Sequence, residues 1–270
     1  AAQLGRAEPA LASWKRIRPD DARPFHESRR LGAELSLTTG RWSEAEAFLR
    51  EGLQSRLETG PFHHQLAQLL GWTGRGWEAV PHLEHLLRSG QLSPELLTML
   101  GDPYRQLRPE GVLRSLPADR PDDPLVLLAE GCLAIERGEP DRAREALQRS
   151  LALDPSRTET FLRWAGLPNA AGNEQALAAA EARLPETATA HPGLWVVRAA
   201  RGLRRGDEKL AVACLAEALR RDPHHAVACA RLASLIREQK GETLDWLIAR
   251  SQELEEVRRR LEAVQAAQAR

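Results

Sequence analysis

Apolar side chains recur along this chain at helical spacing. In GEPDRAREALQRSLALDP, residues 138–155, Ala143, Leu147, Ser150 and Leu151 fall at i, i+4, i+7 and i+8, one stripe of a helix. Gly138 punctuates its start, Pro140 suits a first turn, and Asp154-Pro155 stops it. Just upstream, PLVLLAEGCLAIERG predicts another helix, with small residues at Gly131 and Ala134, so the unit is a helix pair with close packing at one crossing. The stretch returns at residues 206–223 as GDEKLAVACLAEALRRDP, again with Gly first, Ala sixth, Leu tenth and Asp-Pro last.

The interval between the two copies is twice 34 residues, the period of a helix–turn–helix repeat. In 124–157 the markers of that register are Leu127, Gly131, Ala134, Gly138, Ala143, Leu147, Ser150 and Pro155; in 192–225 they are Trp195, Ala199, Gly202, Gly206, Ala211, Leu215, Ala218 and Pro223. Residues 60–93 hold Leu66, Ala67, Leu70, Gly74, Ala79, Leu83 and Leu86 in place. A unit from about residue 25 holds Leu31, Gly32, Leu35, Ala45 and Leu49. Between good neighbours, 158–191 is degenerate: Phe161, Trp164 and Ala165 fit, but Pro168 breaks the first helix. Residues 94–123 are short of a period and rich in proline, which predicts an irregular pair. At the start, GRAEPALASWKRI reads as a second helix alone, an expectation that the native chain extends upstream. From Thr243 a last helix is expected to run to about Ala269, roughly 40 Å, with Leu247, Leu254 and Leu261 in one column and Val257 and Val264 in another. It reads as a cap on the array, with a dimer contact as the other reading.

On these residues the chain resembles the tetratricopeptide-repeat family over nearly its whole length. The resemblance implies an all-α fold, a right-handed α-solenoid of antiparallel helix pairs whose first helices line a concave groove. One pair cannot bury its apolar stripe alone, so stacking creates the continuous core. The organisation expected is a partial repeat at 1–24, two units at 25–93, an irregular unit at 94–123, three units at 124–225, and a last pair with its cap at 226–270. The runs LAQLLGWTGRGWEAVPHLEHLLRSGQLSPELLTMLGD and HPGLWVVRAARGLRRGD also look like the repeat arrays that accompany FG-GAP and ASPIC/UnbV propeller-type domains in some large bacterial proteins. That similarity implies one region, or one partner, of an exported assembly.

Composition agrees with helices, since Leu and Ala dominate while Val (9) and Ile (4) are scarce. Basic and acidic side chains balance at 38 each, which removes the long-range field of a nucleic-acid or polybasic membrane binder. No apolar run reaches the roughly 20 residues of a membrane span. Cys132, Cys214 and Cys229 lack metal or disulfide spacing and read as small buried residues. The compartment stays open between cytoplasm and periplasm or beyond.

The family's groove positions fall here on His64, Gln68 and Trp72; on Leu125, Leu128, Cys132 and Ile135; and on Val196, Ala200 and Leu203. They lack the Lys and Asn of family members that hold a C-terminal carboxylate. An apolar groove points instead to an apolar helix or extended segment as ligand, from a partner or from the same polypeptide. His63, His64, His82 and His85 have helical spacing for two or three imidazoles to converge, but Glu84 points elsewhere and no HExxH completes a metal site, so no metal or cofactor is expected. GWTGRGWE lacks the strand and Lys-Ser/Thr of a phosphate loop and reads as the turn of a helix pair. Arginines 198, 201, 204 and 205 read as a solvated face, with a patch for acidic partner segments as the other reading. Trp14 and Trp195 take core positions; Trp42, Trp72 and Trp77 are candidate contact anchors. No catalytic constellation can be placed. The expected function is a non-enzymatic scaffold with a protein or peptide partner, with neither nucleic acid nor membrane insertion; its rivals are a partner- or substrate-positioning region of a larger protein, and self-assembly through the last helix.

Overall fold

The computed structural model describes residues 2–102, 107–167 and 174–235, with positions 249, 252, 253, 256 and 259. Of the last helix expected from Thr243, Leu247, Leu254 and Leu261 lie outside the described residues, as does Pro168. Among the described residues the chain is all-α: fourteen helices, one 3-10 turn at Glu186–Ala190 and no strand. It forms two compact units, residues 1–154 and 155–270.

The first unit opens with α1 (Ala2–Lys15), which packs on α2 (Ala22–Thr38). Three antiparallel pairs carry most of its core: α2 with α3 (Trp42–Gly52), α4 (Gly60–Trp72) with α5 (Gly76–Arg88), and α8 (Pro124–Glu136) with α9 (Pro140–Leu153). Between the last two, the described residues of 94–123 supply α6 (Pro94–Gly101) and the six-residue α7 (Glu110–Ser115). The second unit holds α10 (Thr158–Ala165), α11 (Glu174–Glu181), the 3-10 turn, the pair α12 (Pro192–Arg204) and α13 (Glu208–Arg221), and α14 (Ala226–Leu235) packed on α13.

One local device closes the four best pairs. Gly40, Gly74, Gly138 and Gly206 sit at φ between +69° and +75°, the left-handed region where a side chain is strained. The residue after each glycine donates its N–H five residues back: Arg41 to Ser36, Arg75 to Leu70, Glu139 to Ala134 and Asp207 to Gly202, at 2.7–2.9 Å. That is the Schellman closure of a helix C-terminus, and it reverses the chain in three residues. The helices then approach closely: a Cβ on Gly131 would lie 2.7 Å from Leu147 Cγ.

The register of α2 differs from the expected one. Its buried face is Phe25, Ser28, Arg29, Gly32, Ala33 and Ser36, while Leu31 is 37% exposed. Arg29 is buried because α1 satisfies it: its guanidinium donates to the carbonyls of Trp14 (2.6 Å) and Ile17 (3.1 Å), pairs with Glu51 at 2.7 Å and stacks on Phe25. A search for apolar residues alone passes over such a position. The tryptophans shift in the same way. Trp42, expected as a contact anchor, is fully buried, with Nε1 donating to Leu37 and its ring 5.6 Å from that of Trp72. Trp14 and Trp195, expected in the core, are only half-buried.

Candidate functional site

The first helices present the expected groove residues very unequally. Leu125, Leu128 and Cys132 are buried, each at 1% exposure or less, whereas Ile135 near the end of the same helix is 38% exposed. Helix α8 packs on α9 and also on α3, the second helix of a pair far upstream. The carboxylate of Asp123 fixes that approach. One oxygen caps α8 by accepting from the N–H groups of Leu125 (2.9 Å) and Val126 (3.2 Å), and the other accepts from Ser43 N–H at 2.9 Å. Arg120 lies over the Gly40 turn and pairs with Glu130. This face of α8 is therefore closed by the chain's own helices. On α4, His64, Gln68 and Trp72 are half-buried; on α12, Val196 is almost buried, Ala200 half-buried, and Leu203 36% exposed.

An open surface in the first unit lies on another side of α8. Because α7 is so short, the side of the α8–α9 pair turned toward it keeps a cleft of about 380 Å³. Leu113, Leu133, Ala134 and Ala146 supply its apolar surface. Charged side chains of both signs rim it, among them Glu110, which pairs with both Arg114 and Arg137, and Arg142, which pairs with Glu139. Sequence reading missed this cleft, since it follows from the shortness of a helix rather than from a motif.

Strongly shifted ionisable groups mark two further places, and both are structural in geometry. Arg75, in the α4–α5 turn, forks onto Glu46 of α3 at 2.7 and 2.9 Å and onto Glu78 of α5 at 2.8 and 2.7 Å. Burial opposes a charged Glu46, but the hydrogen bonds and charge of Arg75, aided by Arg50, hold its pKa down at about 2. The turn GWTGRGWE thus carries a buried ion pair that ties two helix pairs together. Nearby, His63 Nδ1 lies 2.9 Å from His82 Nδ1, and the His63 ring stacks on His85 with centroids 3.9 Å apart. Burial first, then the neighbouring His85 and His82, lower the His63 pKa to about 4, so the imidazole is neutral near pH 7. Among the described residues no three His, Cys, Asp or Glu side chains are placed to hold a metal ion.

In the second unit the four arginines of RAARGLRR are engaged by the acidic helix α11. Arg198 Nε meets Glu181 at 2.7 Å, Arg201 bridges Glu181 and Glu174, and Arg205 reaches Glu174 at 2.6 Å, with Arg204 at 3.8 Å. Desolvation opposes a charged Glu174, but the hydrogen bond and charge of Arg201, with the charges of Arg205 and Arg204, together hold its carboxyl below its usual range. This row is an intramolecular contact where a solvated face was expected. Beside it, the guanidiniums of Arg198 and Arg221 lie over the Trp195 ring, at 4.7 and 4.6 Å, while its Nε1 donates to Thr189.

A scan against protein-family models finds no match, and no curated protein matches the chain. The solved structures similar to it include two helical proteins. The crystal structure of MamA is 14% identical, with a TM-score of 0.38, over 76% of this chain and 96% of that one. YrrB, described as a TPR protein with an unusual peptide-binding site, is 17% identical, with a TM-score of 0.34, over 83% of this chain and 98% of its own. Both likenesses are distant. Among the described residues no helix is long and apolar enough to cross a membrane.

Proposed function

We propose that this chain is a non-enzymatic protein-interaction scaffold that takes a helix or extended segment of a partner protein. The observation that carries this reading is the cleft between α7, α8 and α9. It joins the apolar side chains of Leu113, Leu133, Ala134 and Ala146 to a rim of paired charges. Apolar area supplies the binding energy for such a segment, while rim charges set its register and orientation. A cleft of about 380 Å³ is at the small end of the range for ligand sites and suits a few side chains of a peptide. Within the first unit, Ile135 on α8 is a further exposed apolar side chain at an expected groove position. Leu125, Leu128 and Cys132 are core side chains, so they support the array rather than touch a ligand.

The test is direct binding of peptides selected from a display library against the whole chain. Ala146→Arg fills the cleft from a half-exposed helix position, and the expected result is loss of binding with the thermal transition kept. Selected peptides that bind the Ala146→Arg and Leu133→Asp variants as well as the parent chain would overturn the assignment of the cleft.

A further inference from the structure

We propose that the arginine row of α12 is a docking site for an acidic helical peptide segment of a partner, and that α11 is a built-in occupant which such a segment displaces. The inference concerns a surface separate from the cleft and stands independently of it.

Three observations carry it. The row and its occupant match in spacing: Arg198, Arg201 and Arg205 run at i, i+3 and i+7 on α12, and Glu174 and Glu181 are seven residues apart on α11. Seven residues of helix rise about 10 Å, so two facing helices bring carboxylates and guanidiniums together at both ends, with Arg201 shared between them.

The charges do not balance. Two carboxylates face four guanidiniums, and Arg204 and Arg205 remain 34% and 55% exposed while sharing Glu174. Nearby acids are committed elsewhere: Glu217 to Arg220 and Arg221, and Asp207 to the N–H of Leu210 at the start of α13. The row retains positive charge that a more acidic helix meets better than α11 does.

The occupant is lightly anchored. Leu177 is the one buried residue of α11, so ionic contacts supply most of its hold on α12. Contacts of that kind weaken in salt and exchange readily. An attached helix nevertheless competes at about millimolar effective concentration. A free acidic segment is therefore held off until it carries more charge or apolar contact than EQALAAAEARL, residues 174–184.

The experiment measures binding of a labelled, end-blocked EQALAAAEARL peptide to the full chain by fluorescence anisotropy. Removing the built-in competitor in the Glu174→Gln/Glu181→Gln variant is expected to tighten binding by about tenfold, and adding Arg201→Gln and Arg205→Gln to abolish the gain. The gain must also weaken as salt rises and be absent for a peptide with Gln at both acidic positions. Unchanged affinity in the double variant, binding that survives loss of the arginines, or equal binding of the Gln peptide would each overturn the proposal. So would equally tight binding of a single-stranded oligonucleotide, which would mark general anion capture. Hydrogen exchange on the parent chain guards against a variant that folds poorly. Saturating peptide is expected to speed exchange across residues 174–184 while α13 stays protected, and an unchanged pattern counts against displacement.

Discussion

The backbone N–H of Ser43 donates to the side chain of Asp123 at 2.9 Å, across 80 positions of sequence. One carboxylate thus caps α8 and joins it to the start of α3. Asp123→Ala removes the cap and leaves a half-buried donor at the start of α3, so a loss of about 1 to 2 kcal/mol is expected. Asp123→Asn, which keeps a carbonyl acceptor, is expected to lose less than half as much. Urea unfolding monitored by helical circular dichroism separates the two.

Breaking the Arg75–Glu46 pair from one side leaves Glu46 with the more exposed Arg50 in place of its buried partner. Arg75→Met is expected to cost about 3 kcal/mol, the lower end for a broken buried pair, and Arg75→Met with Glu46→Leu to recover most of that loss. The acid side has a defined sign. Glu46 titrates at about 2 when folded against an ordinary 4.5, so its contribution is fully present above about pH 4.5 and fades as pH falls toward 2. The denaturation midpoint of Glu46→Gln is expected to vary less with pH across that window than that of the parent chain.

His63 acts at milder acidity. Its pKa lies near 4 when folded and near 6.5 when free, so the unfolded chain takes up the proton first. Stability linked to His63 is complete above about pH 6.5 and declines as pH drops toward 4. His63→Gln is expected to flatten the pH dependence of the melting temperature between those values, and a parallel slope in both proteins would contradict the lowered pKa of the buried His63.

Two glycines in one helix pair separate steric from conformational cost. Gly131→Ala places a methyl 2.7 Å from Leu147 Cγ and is expected to cost about 1 to 3 kcal/mol through overpacking. Gly138→Ala meets nothing within 4 Å but sits at φ +70°, so about 1 to 2 kcal/mol is expected from the backbone alone. Coupling to Leu147→Ala provides the check: it offsets part of the first loss and none of the second.

Helices, turns and the all-α class are legible in the sequence because they depend on local spacing. The recurrence of glycine ahead of Ala143, Ala211 and their equivalents marks each turn, and the left-handed glycines explain that recurrence. What periodicity does not carry is which helix meets which. Leu125 and Leu128 look like groove residues by position, yet both are buried on a helix that also packs on α3, where Asp123 meets Ser43 from far away in sequence. Arg29 and Arg75 are hidden for a related reason. An apolar pattern treats arginine as surface, while backbone carbonyls or carboxylates from another helix make its burial affordable. The row from Arg198 to Arg205 is visible as a charge run, but its occupant becomes evident only once α11 lies beside it.

The contact between α8 and α3 bears on how the chain tolerates trimming and grafting. Where each pair leans only on its neighbour in sequence, pairs can be deleted or duplicated one at a time. Here the α2–α3 pair is completed by a helix that begins 81 residues after Ser43, with α4 to α7 spanning the gap. A chain cut short before Asp123 would leave the face of α3 uncovered, and a pair spliced in between must return the backbone to that place. In the first unit the part that can be exchanged is the whole block from α2 to α9, rather than any single repeat.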